Sequence, residues 1–391
     1  METARDVRTS GLIKFHQQQN ACFGETAGWE RPLFYSPAGS KPKIDYSFLR
    51  QNWHEIVVNE VKTCREAVAL LDQSTFAKFE LTGRDALHLR QHLYGANLDR
   101  PIGQAVYTGM FNSHGMYEAD LTVVRTGDDS FYVVTATGQQ QRDYDWIARH
   151  IGNNQVELAD VSANWAVVSV MGPQSPMVLN RITPAAFPIE NLRYGSVRNL
   201  SLNSIPIRAL GISYVGEQGW ELHVPADSVH QLTKEIMLAG AEFGIRPIGN
   251  YAISAMRIEK GFRAFGHELS STESPLEAGL GWTIDWDKEF LGKTALKKKR
   301  QQPMTQRLVC FALEDPDVTL WGTEPILMGG TIVGYTTSAC FGPTIGVSVA
   351  MGYVKHPTGA PLQSSDLQSN LFEIVQLGQR YRSKASLKPW V

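Results

Sequence analysis

Residues 105–136 decide the fold class and read AVYTGMFNSHGMYEADLTVVRTGDDSFYVVTA. They contain three runs rich in β-branched and aromatic residues, separated by turns with Gly, Asn, Asp and Ser, and this pattern is typical of antiparallel strands in a hairpin meander. Apolar residues recur at helical spacing on either side, in residues 52–72 and in residues 142–151. Strands and helices that alternate irregularly predict an α+β fold rather than a doubly wound parallel sheet.

The two ends of the chain differ from its middle. Residues 1–44 contain Gly, Pro and several aromatic side chains without periodicity. We predict that they form an extended N-terminal arm that lies against a domain or a partner. After about residue 300, short strand-like segments alternate with Gly and Pro turns, and they predict a small all-β barrel in residues 301–391.

The bulk composition is that of an ordinary globular protein. Hydrophobic residues make up 43% of the 391 positions and the formal net charge is −2, so neither nucleic acid nor a membrane surface is expected as a partner. The four cysteines are far apart and form no CxxC pair, which argues against a metal site or a disulfide framework. No secretory signal and no apolar run of about 20 residues is present, so a cytoplasmic protein is expected.

Common nucleotide-binding and hydrolase motifs are absent: the sequence has no GxGxxG after a strand and no Walker A, HExxH or GxSxG motif. Carboxylates beside Gly-containing turns remain as candidates. Asp120 enters a strand after the turn HGMYEA, where burial of a carboxylate is unfavourable without a partner. It is either a catalytic carboxylate or a strand-end residue that accepts a turn hydrogen bond.

A second group of candidates lies in SYVGEQGWELHVP, residues 213–225. Glu217 lies between two glycines and Glu221 begins a strand, and alternation along that strand would place Tyr214 near the same turn. A carboxylate at this position could accept two N–H donors from a planar heterocycle. The alternative is an ordinary hairpin with solvated acids.

Two more motifs contain candidate residues. In MRIEKGFRAFGHELS, Arg257 and Arg263 flank Glu259, and these residues either form salt bridges on a helix surface or belong to the site. In SPLEAGLGWTIDW, Trp282 follows a Pro/Gly turn and belongs either to the core or to a platform for a ligand.

The string LTGRDALHLRQHLYGANLDRPIGQAVYTGMFNSHGMYEADLTVVR, residues 81–125, resembles the aminomethyltransferase family, the T-proteins of the glycine cleavage system. The resemblance covers about residues 45–385 and continues in order through VMGPQSP, SYVGEQGWELHVP, RIEKGFRAFGHELS, SPLEAGLGW, FLGKTAL and GYTTSACFGPTIGVSVAMGYV. The segments ACFGETAGWERP, STFAKFELTG and GWELHVP are more similar to the folate-binding region of dimethylglycine and sarcosine dehydrogenases, which follows a flavin domain in those enzymes.

The resemblance implies three domains in a cloverleaf around a central channel that binds tetrahydrofolate. Residues 45–300 would form a folate-binding module of two interleaved subdomains. Asp120 matches the catalytic carboxylate, which orients the folate amine and stabilises a cationic one-carbon donor. The resemblance also implies a set of folate-binding side chains: Tyr214, Glu217, Glu221, Arg257 and Trp282.

The implied activity is that of a tetrahydrofolate-dependent one-carbon transferase. It would accept a one-carbon unit from a small methylated amine and form 5,10-methylenetetrahydrofolate. The chain opens only about 20 residues before ACFGETAGWERP, so a separate flavoprotein oxidase or dehydrogenase is expected as the partner that supplies the donor. Two alternatives stay open: direct methyl transfer from an onium or ether substrate to give 5-methyltetrahydrofolate, and a non-catalytic folate-binding or regulatory subunit of a flavoprotein dehydrogenase.

Overall fold

The structure is a computed structural model that describes residues 5–184 and 194–391. The helices in these ranges are α1 (Ile13–Gln18), α2 (His54–Glu66), α3 (Ala86–Leu93), α4 (Gln140–Ile151), α5 (Ser175–Ile182), α6 (Val229–Gly240), α7 (Asn250–Glu259), α8 (Lys293–Arg300) and α9 (Ser364–Ser369). The strands are β1 (Ala21–Thr26), β2 (Trp29–Tyr35), β3 (Ala69–Asp72), β4 (Ala77–Thr82), β5 (Ala105–Phe111), β6 (Tyr117–Gly127), β7 (Ser130–Thr135), β8 (Glu157–Asp160), β9 (Trp165–Met171), β10 (Val197–Leu202), β11 (Ile205–Leu210), β12 (Gly219–Pro225), β13 (Arg246–Pro247), β14 (Gln306–Leu313), β15 (Pro325–Met328), β16 (Thr331–Gly342), β17 (Val347–Lys355), β18 (Phe372–Gln376) and β19 (Gln379–Ser386).

Two central sheets and a barrel form the three lobes of the molecule. The first sheet has the strand order β10-β11-β12-β9-β3-β13, and the second has the order β5-β6-β7-β4-β8. The barrel closes in the order β14-β17-β16-β15-β18-β19. The α+β prediction and the C-terminal barrel are therefore confirmed, and the two central sheets are interleaved because β3 joins the first sheet before β4–β8 build the second.

Each central sheet has one helix-covered face and one face turned toward the other sheet. In the second sheet, Leu121 and Val133 pack with the apolar sides of α3 and α4. In the first sheet, Leu222 and Val224 pack with α5 and α6. Successive side chains of a strand point to opposite faces, so the residues between these core positions point toward the facing sheet.

Strand register shows which polar side chains share the facing surfaces. On the second sheet, the pairings of Gly109 with Asp120 and of Val124 with Tyr132 place Asp120 and Tyr132 on the same face. On the first sheet, Glu221 and His223 alternate with the core residues of β12. The hydroxyl of Tyr132 lies 2.9 Å from Nδ1 of His223, so the two faces meet, and Asp120 and Glu221 lie on these facing surfaces.

The N-terminal segment differs from the predicted extended arm. Residues 13–35 form helix α1 and the β1–β2 hairpin, and Leu12 and Phe34 are fully buried. Leu12 belongs to the core of the first sheet, while Phe34 packs in a cluster with α2 and α7. The segment is thus part of the folded core. Its helix and hairpin direct apolar side chains such as Leu12 and Phe34 into the two neighbouring clusters.

The helix predicted in residues 52–72 is shorter than its apolar pattern suggests. Helix α2 ends at Glu66, and Ala69–Asp72 become β3 in the first sheet, between β9 and β13. All four residues of β3 are buried. A continuous apolar run is compatible with a helix or with a strand buried on both faces, and here the tertiary structure selects the strand.

No helix within the described ranges is long and apolar enough to cross a membrane.

Candidate active site

A tight turn places Asp120 on the second sheet. Asn112 closes the turn, because its backbone N–H donates to Met116 O over 2.9 Å and its side-chain oxygen accepts from the N–H of His114. Gly115 has a φ of +74°, and a Cβ there would lie 2.6 Å from Leu296. A side chain at this position would be strained in both respects. The glycine therefore allows the chain to reverse, so that β6 enters the sheet with Asp120 facing the interior.

Asp120 is half-buried and accepts a hydrogen bond of 3.0 Å from the hydroxyl of Tyr107 on the adjacent strand. Burial raises the pKa of Asp120 to about 6, although the Tyr107 hydrogen bond lowers it and the charge of Glu268 raises it further. A carboxyl group that is surrounded by protein but keeps accessible surface can stabilise a cation brought to it. At neutral pH the group is mostly ionised.

Aromatic rings lie on the same side of the molecule as this carboxylate, since Tyr107 contacts Asp120 and the charge of Asp120 acts on Tyr214. Trp282 is 72% exposed, and its ring centroid lies 6.4 Å from that of Tyr107. Tyr214 stacks on Phe262 at 6.1 Å and donates its hydroxyl to the carbonyl of Arg263. Tyr107, Tyr214 and Phe262 are all half-buried. Rings that keep accessible surface beside a half-buried carboxylate form walls suited to a planar ligand.

Glu221 lies on the facing sheet. The residue is 4% exposed, and burial raises its pKa to about 8. Its nearest basic group is Nε2 of His223, 3.7 Å from Oε2, which is too long for a hydrogen bond. Burial disfavours the ionised form of this acid, and His223 is too far away to offset that cost with a hydrogen bond. N–H donors from a ligand would offset it.

The other two candidates are held in ion pairs. Glu217 pairs with Arg65, whose guanidinium also lies 3.2 Å from Glu259. Arg257 is buried and lies 2.8 Å from Glu268. The guanidinium of Arg257 therefore supports Glu268, which in turn raises the pKa of Asp120, and the carboxylate of Glu217 is neutralised within its own pair.

The comparison with protein families decides the identity of the fold. The family model described as the GCVT N-terminal domain matches residues 12–288, and the model described as the glycine cleavage T-protein C-terminal barrel domain matches residues 306–391. The chain belongs to the glycine cleavage T-protein family. The predicted resemblance is confirmed.

Individual relatives of this T-protein chain agree with that assignment. 4-Methylaminobutanoate oxidase (formaldehyde-forming) of Paenarthrobacter nicotinovorans is 37% identical over 392 residues, which cover 100% of the chain and 47% of the oxidase. Dimethylglycine dehydrogenase of Homo sapiens is 35% identical over 389 residues, which cover 98% of the chain and 44% of the dehydrogenase. The chain thus spans less than half the length of either relative.

A solved T-protein has the same fold. The glycine cleavage system aminomethyltransferase T from Bartonella henselae superimposes with a TM-score of 0.83 at 21% identity, covering 99% of this chain and 98% of that one. The similarity extends over both central sheets and the barrel, so it supports the three-lobed architecture.

Three further residues lie at the candidate site that the sequence patterns did not single out. Tyr107 could have been found, because it lies on the predicted strand before the turn and two residues from Gly109, which pairs with Asp120. Glu268 and His223 could not, because their roles depend on contacts with Arg257 and Tyr132, which come from other elements. Alternation along a strand predicts which residues share a face with Asp120. It does not predict contacts that form only when separate elements pack together.

Proposed function

We propose that the chain is a tetrahydrofolate-dependent one-carbon transferase that accepts its one-carbon unit from a small methylated amine and forms 5,10-methylenetetrahydrofolate. The observation that carries this proposal is the pair of acids, Asp120 and Glu221, on facing sheets with half-exposed aromatic rings beside them. Family membership supports the same activity.

The residues at the site fit the pterin group of tetrahydrofolate. A pterin presents a planar edge with adjacent N–H donors, and a buried carboxylate such as Glu221 can accept two of them. Tyr214 and Trp282 offer ring surface for the planar and aromatic parts of the ligand. Bound tetrahydrofolate supplies the nucleophilic nitrogens that capture a one-carbon unit.

Asp120 would act on the donor rather than on the pterin edge. A methylated amine oxidised to an iminium is a cation, and an ionised carboxylate at its side stabilises it and orients the folate amine. The Tyr107 hydroxyl fixes one oxygen of Asp120, 3.0 Å away. The second oxygen then remains for the cation. We assign binding roles around the ligand to Tyr214 and Trp282, and supporting roles to Glu217 and Arg257 through their ion pairs.

The names of the relatives indicate where the donor comes from. An oxidase and a dehydrogenase of N-methylated amino acids contain a region similar to this chain. We therefore propose a flavoprotein oxidase or dehydrogenase as the source of the iminium. One relative is named as formaldehyde-forming, which is the product expected when an iminium is hydrolysed before a folate captures it.

The test is calorimetric titration with tetrahydrofolate, using the wild type, Asp120→Ala and Glu221→Ala. We expect Glu221→Ala to lose binding and Asp120→Ala to keep most of it. A second arm adds a methylated amine and a flavoprotein oxidase and measures methylenetetrahydrofolate, 5-methyltetrahydrofolate and formaldehyde. A 5-methyl product would favour direct methyl transfer. Failure of the folded wild type to bind tetrahydrofolate would overturn the proposal and favour a regulatory role.

A further inference from the structure

Three buried side chains contact one another in series between the two facing sheets. Tyr132 extends from β7, and its hydroxyl lies 2.9 Å from Nδ1 of His223 on β12. Nε2 of the same imidazole lies 3.7 Å from Oε2 of Glu221. Tyr132 and His223 are 0% exposed and Glu221 is 4% exposed. The series ends at Glu221, the carboxylate that we propose accepts the N–H donors of the pterin.

The direction of the first hydrogen bond fixes the proton on the imidazole. Burial raises the pKa of Tyr132, so its hydroxyl keeps its proton, and its hydrogen-bond partner in the described part of the chain is Nδ1 of His223. Burial, together with the charges of Lys78 and Arg208, lowers the pKa of His223. A neutral imidazole that accepts at Nδ1 carries its proton on Nε2.

The Nε2–H group has no hydrogen-bond partner among residues 5–184 and 194–391, although it is fully buried. A buried donor without an acceptor is unfavourable, and Oε2 of Glu221, 3.7 Å away, is the acceptor nearest to it in the described ranges. A rotation of the carboxylate that shortens 3.7 Å to a hydrogen-bond distance would satisfy both groups. That rotation would be favoured when a ligand with N–H donors binds and requires the ionised acid.

We infer that His223 is a positioning residue, which donates from Nε2 to one oxygen of Glu221 and so holds that carboxylate toward the ligand. This inference rests on the proposed function, because it assigns the ligand of Glu221. Tyr132 fixes the tautomer of His223 from the opposite sheet. The orientation of the binding acid is therefore coupled to the sheet that holds Asp120.

Among residues 5–184 and 194–391, the strand partners of Glu221 do not supply such a donor. Ser169, paired with it on β9, donates its hydroxyl to Gln73. Leu210, paired with it on β11, is apolar. Tyr194 is 70% exposed, and its pKa is raised by desolvation and, to a smaller extent, by the charge of Glu221. Burial and the charges of Lys78 and Arg208 lower the pKa of His223, whereas burial raises that of Glu221.

The test measures the affinity for tetrahydrofolate from pH 6 to pH 9.5 in the wild type, His223→Leu and His223→Gln. The wild-type affinity should rise with pH and level off above the Glu221 pKa of about 8. Removal of the donor in His223→Leu should weaken binding at pH 7.5 about tenfold and move the transition to higher pH, because a hydrogen bond to a charged group is lost. His223→Gln retains an N–H at similar reach and should restore most of the affinity.

Two controls separate this role from packing. Val224→Ala, on the helix-covered face of the same strand, should lower the melting temperature without moving the pH transition. Selective ¹⁵N-histidine spectra should show His223 protonated at Nε2 in the wild type and partly at Nδ1 in Tyr132→Phe. If tetrahydrofolate binds the wild type but both His223 variants keep its affinity and pH transition, or lose affinity equally with the transition unmoved, the inference is overturned. No binding to the wild type would instead overturn the proposed function.

Discussion

The hydroxyl of Tyr107 donates a hydrogen bond of 3.0 Å to Oδ2 of Asp120, and this bond links two adjacent strands at the candidate site. This hydrogen bond holds one oxygen of the carboxylate, Oδ2, in place. Asp120→Asn keeps the shape of the side chain but removes its charge. We expect kcat to fall by about two to three orders of magnitude, the effect of losing one preorganised electrostatic group, while the tetrahydrofolate affinity stays close to wild type. Calorimetry and steady-state kinetics on the same samples measure both, and equal losses in affinity and kcat would contradict this.

Removal of the Tyr107 hydroxyl should shift the acidic limb of the pH–rate profile. The hydrogen bond lowers the pKa of Asp120, which burial otherwise raises, so Tyr107→Phe should raise that pKa above about 6. Activity that depends on the ionised carboxylate is present above the pKa and is lost as the pH falls through it, so the limb should shift to higher pH. Tyr117→Phe is the matched control, because Tyr117 is fully buried within electrostatic reach of Asp120 and its hydroxyl makes no hydrogen bond within the described ranges. An unshifted limb in Tyr107→Phe would exclude Asp120 as the titrating group.

Trp282 offers a large ring surface to solvent beside Tyr107. Because it is 72% exposed, its removal should leave the melting temperature nearly unchanged. Trp282→Ala should weaken tetrahydrofolate binding about five- to tenfold, since an aromatic contact is worth about 1 kcal/mol beyond the area it buries. Trp321→Ala, which removes a 41% exposed ring from the loop before β15, serves as the control and should leave the affinity unchanged. Equal affinities in the two variants would show that Trp282 does not contact the ligand.

Sequence patterns could predict the features that depend on neighbouring residues. The turn before Asp120 and the alternation of β12 gave the positions of both acids, because a strand exposes every second residue to one face. Glu259 shows where this approach ends. Its motif suggested a salt bridge on a helix surface, yet the side chain is fully buried, because Arg65 from α2 and Thr344 from the barrel surround it. The roles of Glu217 and Arg257 likewise depend on partners that the sequence does not place beside them.

Arg65 joins elements that are distant in sequence and should be important for stability. It pairs with Glu217 and with the fully buried Glu259. Arg65→Met leaves Glu259 without its cation, and removal of one partner from a buried pair costs about 3–5 kcal/mol. Lys62→Met lies on the same helix and removes an exposed pair with Glu66, which should change the free energy of unfolding by less than about 0.5 kcal/mol. Urea unfolding measures both variants, and a small effect in Arg65→Met would contradict the assigned role.

Asp72 anchors the N-terminal segment to β3. Its carboxylate accepts hydrogen bonds from Ser10 over 2.6 Å and from Nε2 of His16 over 2.8 Å, and the hydroxyl of Tyr35 lies 2.8 Å from the other nitrogen of His16. Burial opposes the ionisation of Asp72, but the hydrogen bonds and the charge of His16 outweigh it and lower the pKa of Asp72 to about 2. The segment that the sequence suggested was an arm is therefore held by an ionised acid inside the protein.

This lowered pKa predicts how stability depends on pH. A carboxyl group whose folded-state pKa lies below the ordinary value of 3.8 stabilises the fold above pH 4, and the contribution is lost as the pH falls through about 2. Asp72→Asn should therefore lower the free energy of unfolding by about 2 kcal/mol at pH 7, and the difference from wild type should shrink between pH 4 and pH 2. Asp45→Asn removes an exposed acid paired with Lys43 and should have little effect at either pH. Urea unfolding at pH 7, 4 and 2.5 provides the comparison, and a difference that stays constant across these values would show that the ionised state of Asp72 does not hold the segment in place.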